Sequence, residues 1–155
     1  IVGALLGHPD LIGDHAEDLS ALEFAGRDTK RLLHALVALA HEDLARPELL
    51  GALEEIGLGA ERLRVEADPA LAPIPALRPQ AERDDADKVL RQAMWMHRRF
   101  GALQRELRQA ETALAAEPTE VHLAHLNEVK AQLASLEGGQ ATVEGFGFAA
   151  PGDSV

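Results

Sequence analysis

Asp84–Glu137 reads DDADKVLRQAMWMHRRFGALQRELRQAETALAAEPTEVHLAHLNEVKAQLASLE. In its first part, apolar or small residues fall at Val89, Ala93, Met96, Phe100, Leu103, Leu107, Ala110 and Leu114. Steps alternating between four and three are a heptad seam, the pattern of a long helix with one narrow buried stripe. After Glu117-Pro118 the seam returns with Leu126, Val129, Leu133 and Leu136. Two seams joined by a proline turn predict an antiparallel helical hairpin. The outgoing arm would run from Asp84 to about Ala116, about 50 Å, and the return arm from about Pro118 to Glu137, about 30 Å. The shorter arm covers only the stretch from about His97 onward. Lys88–Met96 then needs cover from the rest of the chain. Leu90, Met94 and Trp95, which lie off the seam, supply a second buried face for that purpose.

Upstream the chain breaks into short helical pieces. Ile1–Gly7 is a short apolar segment ended by His8-Pro9-Asp10. A helix follows from about Pro9, burying Leu11, Ile12, Ala16, Leu19 and Leu22, and closes at Phe24 with Ala25-Gly26. Asp28 reads as the N-cap of the next helix, with Leu32, Leu33, Leu36, Val37, Ala40 and Leu44 on its inner face. Pro47 starts another, with Leu49, Leu50, Leu53 and Ile56, stopped at Gly57. A weaker helix spans about Glu61–Glu66. Apolar faces this wide on pieces this short predict one compact bundle over 1–66. Pro69, Pro73, Pro75 and Pro79 then remove donors and restrict their neighbours, so 67–83 is expected to be a linker or a strapped surface loop without helix. Gly138-Gly139 is expected to end the return arm. The remaining residues, with Phe146 and Phe148 among them, read as a flexible tail. The expected class is all-α: a bundle, a long connecting helix and a C-terminal hairpin.

Composition agrees with that class and narrows the chemistry. The 155 residues contain 3% aromatics, no Tyr and no Cys. Ala and Leu, good helix formers, dominate. Absence of Cys excludes a disulfide framework, a thiolate metal site and a Cys nucleophile, and it suits a cytoplasmic setting. No apolar run reaches membrane-spanning length, and no signal peptide is visible in the sequence. The chain opens on Ile1 and reads as a piece of a longer protein. The net charge of -11 argues against general nucleic-acid binding, which needs a basic face. That charge is uneven: 14 acidic against 6 basic side chains over 1–68, and 12 against 9 over 69–155. Lys88, Arg91, Arg98, Arg99, Arg105 and Arg108 form a basic stripe interrupted by the single acid Glu106. It is either a solvated helix face or a steering surface for an acidic partner.

No catalytic constellation is visible. His122 and His125 are i,i+3 and His34 and His41 are two turns apart. Neither pair has a Cys or a ligand carboxylate at metal-binding spacing, so no metal and no cofactor are assigned. Ser20, Ser135 and Ser154 have no triad partners in the pattern, and there is no phosphate-binding glycine loop. The chain by itself is not read as an enzyme. The positive signal is the hairpin. Isolated helices are marginal in water, so a projecting pair implies a binding role. Leu114, Val121 and Leu123, with Ala113 and Ala124, offer an apolar surface near its tip, or simply close the hairpin end. Arg98, Arg99, Arg105 and Arg108 offer charge beside it. Trp95 reads as packing rather than contact.

Three stretches resemble the C-terminal domain of bacterial replicative primases of the DnaG type. The opening ALLGHPDLI (Ala4–Ile12) with EDLSALEF (Glu17–Phe24) is similar to that domain's first helices, and MHRRFGALQRELRQAE (Met96–Glu111) to its late helix. EPTE (Glu117–Glu120), LNEVKAQLASLEG (Leu126–Gly138) and EGFG (Glu144–Gly147) resemble the alphaproteobacterial branch. Residues 45–83 match least. The resemblance implies a helical bundle, a long helix and a hairpin. It implies docking on the replicative helicase hexamer of the DnaB type, which recruits RNA primer synthesis to the fork. It also extends to the acidic tail of single-stranded-DNA-binding protein as a second partner, through basic positions partly upstream of Ile1. A free domain of this kind would be a monomer, cytoplasmic, with little direct nucleic-acid binding, and any primer synthesis would belong to the parent protein. The rival class is a self-associating scaffold, such as the N-terminal domain of a replicative helicase.

Overall fold

The structure, a computed structural model, describes residues 1–42 and 44–144, with side chains as far as 136. Among them the regular structure is entirely helical, in eight α-helices and two 3₁₀ turns. The helices are α1 (Val2–Gly7), α2 (Asp10–Asp14), α3 (Ala16–Ser20), α4 (Arg27–Leu39), α5 (Arg46–Glu55), α6 (Gly59–Glu66), α7 (Arg83–Ala116) and α8 (Glu120–Glu144). The chain divides into two compact units, Ile1–Trp95 and Met96–Val155, so α7 contributes residues to both. No helix among the described residues is long and apolar enough to cross a membrane.

The first unit is organised around one apolar core. Leu5, Leu6, Leu11, Ile12, Leu19, Leu32, Leu33, Leu36, Leu49 and Leu53 are almost completely buried in it. Ala86, Leu90 and Met94 of α7 join the same cluster. They recur every four residues, one stripe of a helix, and that stripe lies off the heptad seam. Trp95, expected on the same buried face, is instead 57% exposed. Ala86, Leu90 and Met94 already define the inward direction, and Trp95 follows Met94 by about 100° of turn.

Helix ends differ from expectation in several places. The helix expected from Pro9 is two short ones, α2 and α3, separated by His15. Ala16 is correspondingly only half-buried, while His15 itself is buried. Asp28 is not an N-cap: Gly26 holds that position, and Asp28 lies in the first turn, where it accepts a 2.7 Å bond from Arg64. A carboxylate there still complements the helix dipole. α5 begins one residue before Pro47, with Glu48 reaching back to the Ala45 N–H at 3.0 Å, half of a capping box. Ile56 lies beyond the end of α5 and is 52% exposed, so it is not part of that helix's buried face. The turn after it uses Gly57 at φ +77, a conformation that favours glycine.

The proline-rich stretch carries turns and a short 3₁₀ segment, Pro75–Leu77. It lies tightly on α1. A Cβ at Gly7 would sit 2.5 Å from the Leu77 carbonyl oxygen, and one at Gly3 would sit 2.8 Å from Leu71 Cδ1. Glycines four residues apart on one helical face therefore let the strap approach the helix backbone.

A polar network closes the α5–α6 side. Arg62, buried, donates to Glu66 at 2.6 Å and to Glu54 at 2.8 Å. Arg46 donates to Glu66 at 2.9 Å and to the Leu6 carbonyl at 2.9 Å, satisfying an oxygen in the last turn of α1. Arg62 Nε is buried without a partner.

In the second unit, Leu103, Val129 and Leu133 form a small buried cluster with Phe100, Leu107 and Leu136 packed against it. Arg99 donates to Gln132 at 2.8 Å, and His125 lies 3.7 Å from Glu106. Seven residues forward in α7 thus correspond to seven residues back in α8, an antiparallel register of one heptad. Thr119 Oγ1 accepts from the His122 N–H at 3.2 Å and acts as the N-cap of α8. His122 Nδ1 lies 2.6 Å from the Glu117 carbonyl oxygen. α8 does not stop at Gly138-Gly139 but continues to Glu144. Glycine lowers helix propensity by about 1 kcal/mol against Ala without forbidding the helical conformation. The stretch expected as a flexible tail is therefore helical as far as Glu144, and its remainder, with Phe146 and Phe148, lies outside the described residues.

Candidate partner-binding surface

The α7 cations arise from one local rule, residues recurring at three, four and seven positions along a helix. Several are already engaged. Lys88 pairs with Asp85 at 3.0 Å and Arg91 with Asp87 at 2.9 Å. The Asp85 hydrogen bond, reinforced by its charge, raises the Lys88 ammonium above its ordinary range. Arg99 turns toward α8 and donates to Gln132, and Arg98 is not free. Arg105 and Arg108 are exposed and carry no ion pair among the described residues. The four expected arginines therefore do not make one uniform patch. Arg98 and Arg105, seven apart, share a face, whereas Arg99 belongs to the flank joined to α8.

The apolar candidates are also separated. Leu114 is half-buried, four residues beyond the buried Ala110 on the seam. Val121 is 75% exposed and Leu123 48% exposed. Being two apart on a helix, their side chains diverge by about 200° and lie on opposite flanks of α8. Val121 shares the flank of His125 and Gln132, and Leu123 the flank of Lys130. Each presents a separate apolar contact with its own polar surroundings.

Sequence reasoning missed several residues. Ile56 and Leu63, in the first unit, are exposed apolar residues, as is Trp95. His8 and His15 are buried and hydrogen-bonded to partners 70 and 72 residues away in sequence. The position of His8 beside Pro9 marked a helix end and His15 was read inside the helix expected from Pro9, but no local signal announced the burial of either. His122 and Thr119 build the turn before α8; the Thr preceding an acidic first turn was the available signal.

Open clefts also lie among the described residues of the first unit. One, of about 540 Å³, lies between α1 and the strap and includes Leu6, Leu71, Ile74, Arg46 and Arg78 in its lining. Another, of about 450 Å³, lies at the start of α4 beside Arg64, Glu61 and Asp68. Its charges of both signs are largely paired with one another, Arg64 with Asp28 and Arg31 with Glu61. Among the described residues no group of three His, Asp or Glu is placed to hold a metal ion. No family model, curated protein or solved structure matches the chain.

Proposed function

We propose that the chain is the helicase-docking domain of a DnaG-type bacterial primase: a protein-interaction domain, in a bacterial cytoplasm, that brings primer synthesis to the replication fork. In this reading residues 1–66 are the helical bundle, α7 is the connecting helix, and the antiparallel part of α7 with α8 is the hairpin that meets the helicase hexamer. The observation that carries it is that two large apolar side chains of α8, Val121 and Leu123, are left in water on a pair of helices whose other member carries Arg105 and Arg108, exposed and without an ion pair among the described residues. Arg108 stands at the level of Leu123 in the register set by Arg99–Gln132 and Glu106–His125. An apolar anchor beside a cation suits a partner surface that is apolar with an acidic rim. The cations set association rate and salt dependence more than affinity, because exposed pairs are each worth about 0–1 kcal/mol.

The test is a calorimetric titration of the chain into the cognate helicase hexamer at low and moderate salt. Saturable binding that weakens with salt supports both the docking and the part of Arg105 and Arg108. Val121→Asp and Leu123→Asp, made separately, report which flank is buried. If both single variants and the double variant bind as the wild type does while remaining helical, the apolar assignment is wrong. Self-association of the free chain into rings or dimers would favour an oligomeric scaffold instead.

A further inference from the structure

Side-chain hydrogen bonds among the described residues fasten the strap and the first turns of α7 to the N-terminal helices. His8 Nε2 lies 3.0 Å from the Arg78 carbonyl oxygen. Arg83 bonds Asp10 at 2.6 Å and also bonds Asp14. His15 Nε2 lies 2.5 Å from Asp87 Oδ1, while Arg91 holds the other Asp87 oxygen at 2.9 Å. All three lie within the first unit. They are not equivalent. The His8 bond ends on a neutral carbonyl, and the Arg83 pairs are exposed. Only His15–Asp87 joins a titratable donor to a carboxylate with both side chains largely out of water.

From this geometry we infer that His15 and Asp87 form a proton-dependent latch that holds the first turns of α7 on the helices α2 and α3. With neutral His15, the Nε2–H donates to the carboxylate. With protonated His15, the same contact becomes an ion pair with the hydrogen bond retained, the stronger kind. Imidazole is the side chain that ordinarily changes charge between pH 5 and 8. Asp87 keeps its charge throughout that window, because the His15 hydrogen bond and then Arg91 hold its carboxyl below the usual range against the opposing effect of burial. The latch is therefore tighter at pH 6 than at pH 8.

The surrounding charges leave this pair as the responsive element. On α7 they are Arg83, Asp87 and Arg91, and on α2 and α3 they are Asp10, Asp14, Glu17 and Asp18. α4 turns Leu32, Leu33 and Leu36 to the core and leaves Lys30, Arg31 and His34 exposed. The 3₁₀ turn Ala40–Glu42, which packs near α2, leaves His41 and Glu42 exposed. His8, also buried, bonds a backbone carbonyl and meets no carboxylate among the described residues.

The experiment is amide hydrogen exchange of the full chain at Ala86–Leu90 from pH 5 to 8, corrected for intrinsic exchange rates. Protection about fivefold higher at pH 6 than at pH 8 is expected, the gain from putting a second charge on the donor of a hydrogen bond whose acceptor is already ionised. His15→Gln offers a donor that cannot titrate, and Asp87→Asn offers an acceptor without charge; each should flatten the profile. His8→Gln should leave it unchanged. A flat wild-type profile, or one that persists in both His15→Gln and Asp87→Asn, overturns the latch. Because the two variants alter opposite partners, loss of folding in one leaves the other to decide.

Discussion

The contact between the strap and α1 predicts opposite outcomes for the same substitution at different glycines. At Gly7→Ala the new Cβ would lie 2.5 Å from the Leu77 carbonyl oxygen and 3.4 Å from its carbonyl carbon. Backbone cannot rotate out of the way as a side chain tip can, so either α1 or the strap must move. Overpacking of this kind costs about 1–3 kcal/mol. Against it stands the better helix propensity of Ala, about 1 kcal/mol at most and less at a helix end. The net expectation is a loss of about 1–2 kcal/mol. At Gly3→Ala the obstacle is Leu71 Cδ1 at 2.8 Å, the far end of a flexible side chain, so the cost should be smaller. At Gly51→Ala, inside α5, nothing lies within 4 Å. There the propensity gain stands alone, and the variant should be more stable than wild type by about 0.5–1 kcal/mol. Urea unfolding followed by far-ultraviolet circular dichroism gives the order, and amide exchange in α1 and over 71–79 shows whether the strap loosens. Equal stability of Gly7→Ala and Gly51→Ala would refute the close approach of the strap, and with it the account of why α1 carries glycines four residues apart.

Four further outcomes follow from the same structure. Asp87→Asn should lower stability at neutral pH, and the difference should fade in acid: a carboxyl whose folded value is depressed stabilises above its unfolded value, about 4, and ceases to as pH falls through the folded one, which parallel thermal melts from pH 2 to 7 would show. Leu103→Ala, at 1% exposure in the small cluster of the second unit, should cost about 2–5 kcal/mol and raise amide exchange over 126–136, whereas half-buried Leu107→Ala should cost less. Arg62→Met removes a buried cation together with its unpartnered Nε and should change stability by no more than about 1 kcal/mol, while Glu66→Ala, which takes a carboxylate from both Arg46 and Arg62, should cost about 1–3 kcal/mol in urea titrations. Thr119→Ala should cost about 1 kcal/mol through loss of the α8 cap, with fraying detectable in the exchange of Val121 and His122 amides.

Much of the helical layout was legible from residue spacing. The seam from Val89 to Leu114 and its return from Leu126 to Leu136 are properties of a 3.5-residue repeat, written locally in every turn. Buried Leu103, Ala110, Leu126, Val129 and Leu133 all lie on it. Glu117-Pro118 marked the end of α7 because proline cannot continue the hydrogen-bond ladder. The candidate surface was less legible. Periodicity names which residues lie on a helix face, but Val121 and Leu123 were joined by nearness in sequence although a helix sets them on opposite flanks.

What the sequence by itself determined is the class of structure, the near positions of its helices and the absence of thiol chemistry, since these depend on each residue and its neighbours within a turn or two. The tertiary structure alone decided the rest. It made His15 a partner of Asp87, 72 residues away, and split the helix expected from Pro9 at that imidazole. It buried Leu90 and Met94 while leaving Trp95 in water, although all three lay off the seam. The reason is the same in each case: which stripe of a helix is buried, and which polar side chain finds a partner, depends on what another segment brings to it, and no local pattern records that segment's position.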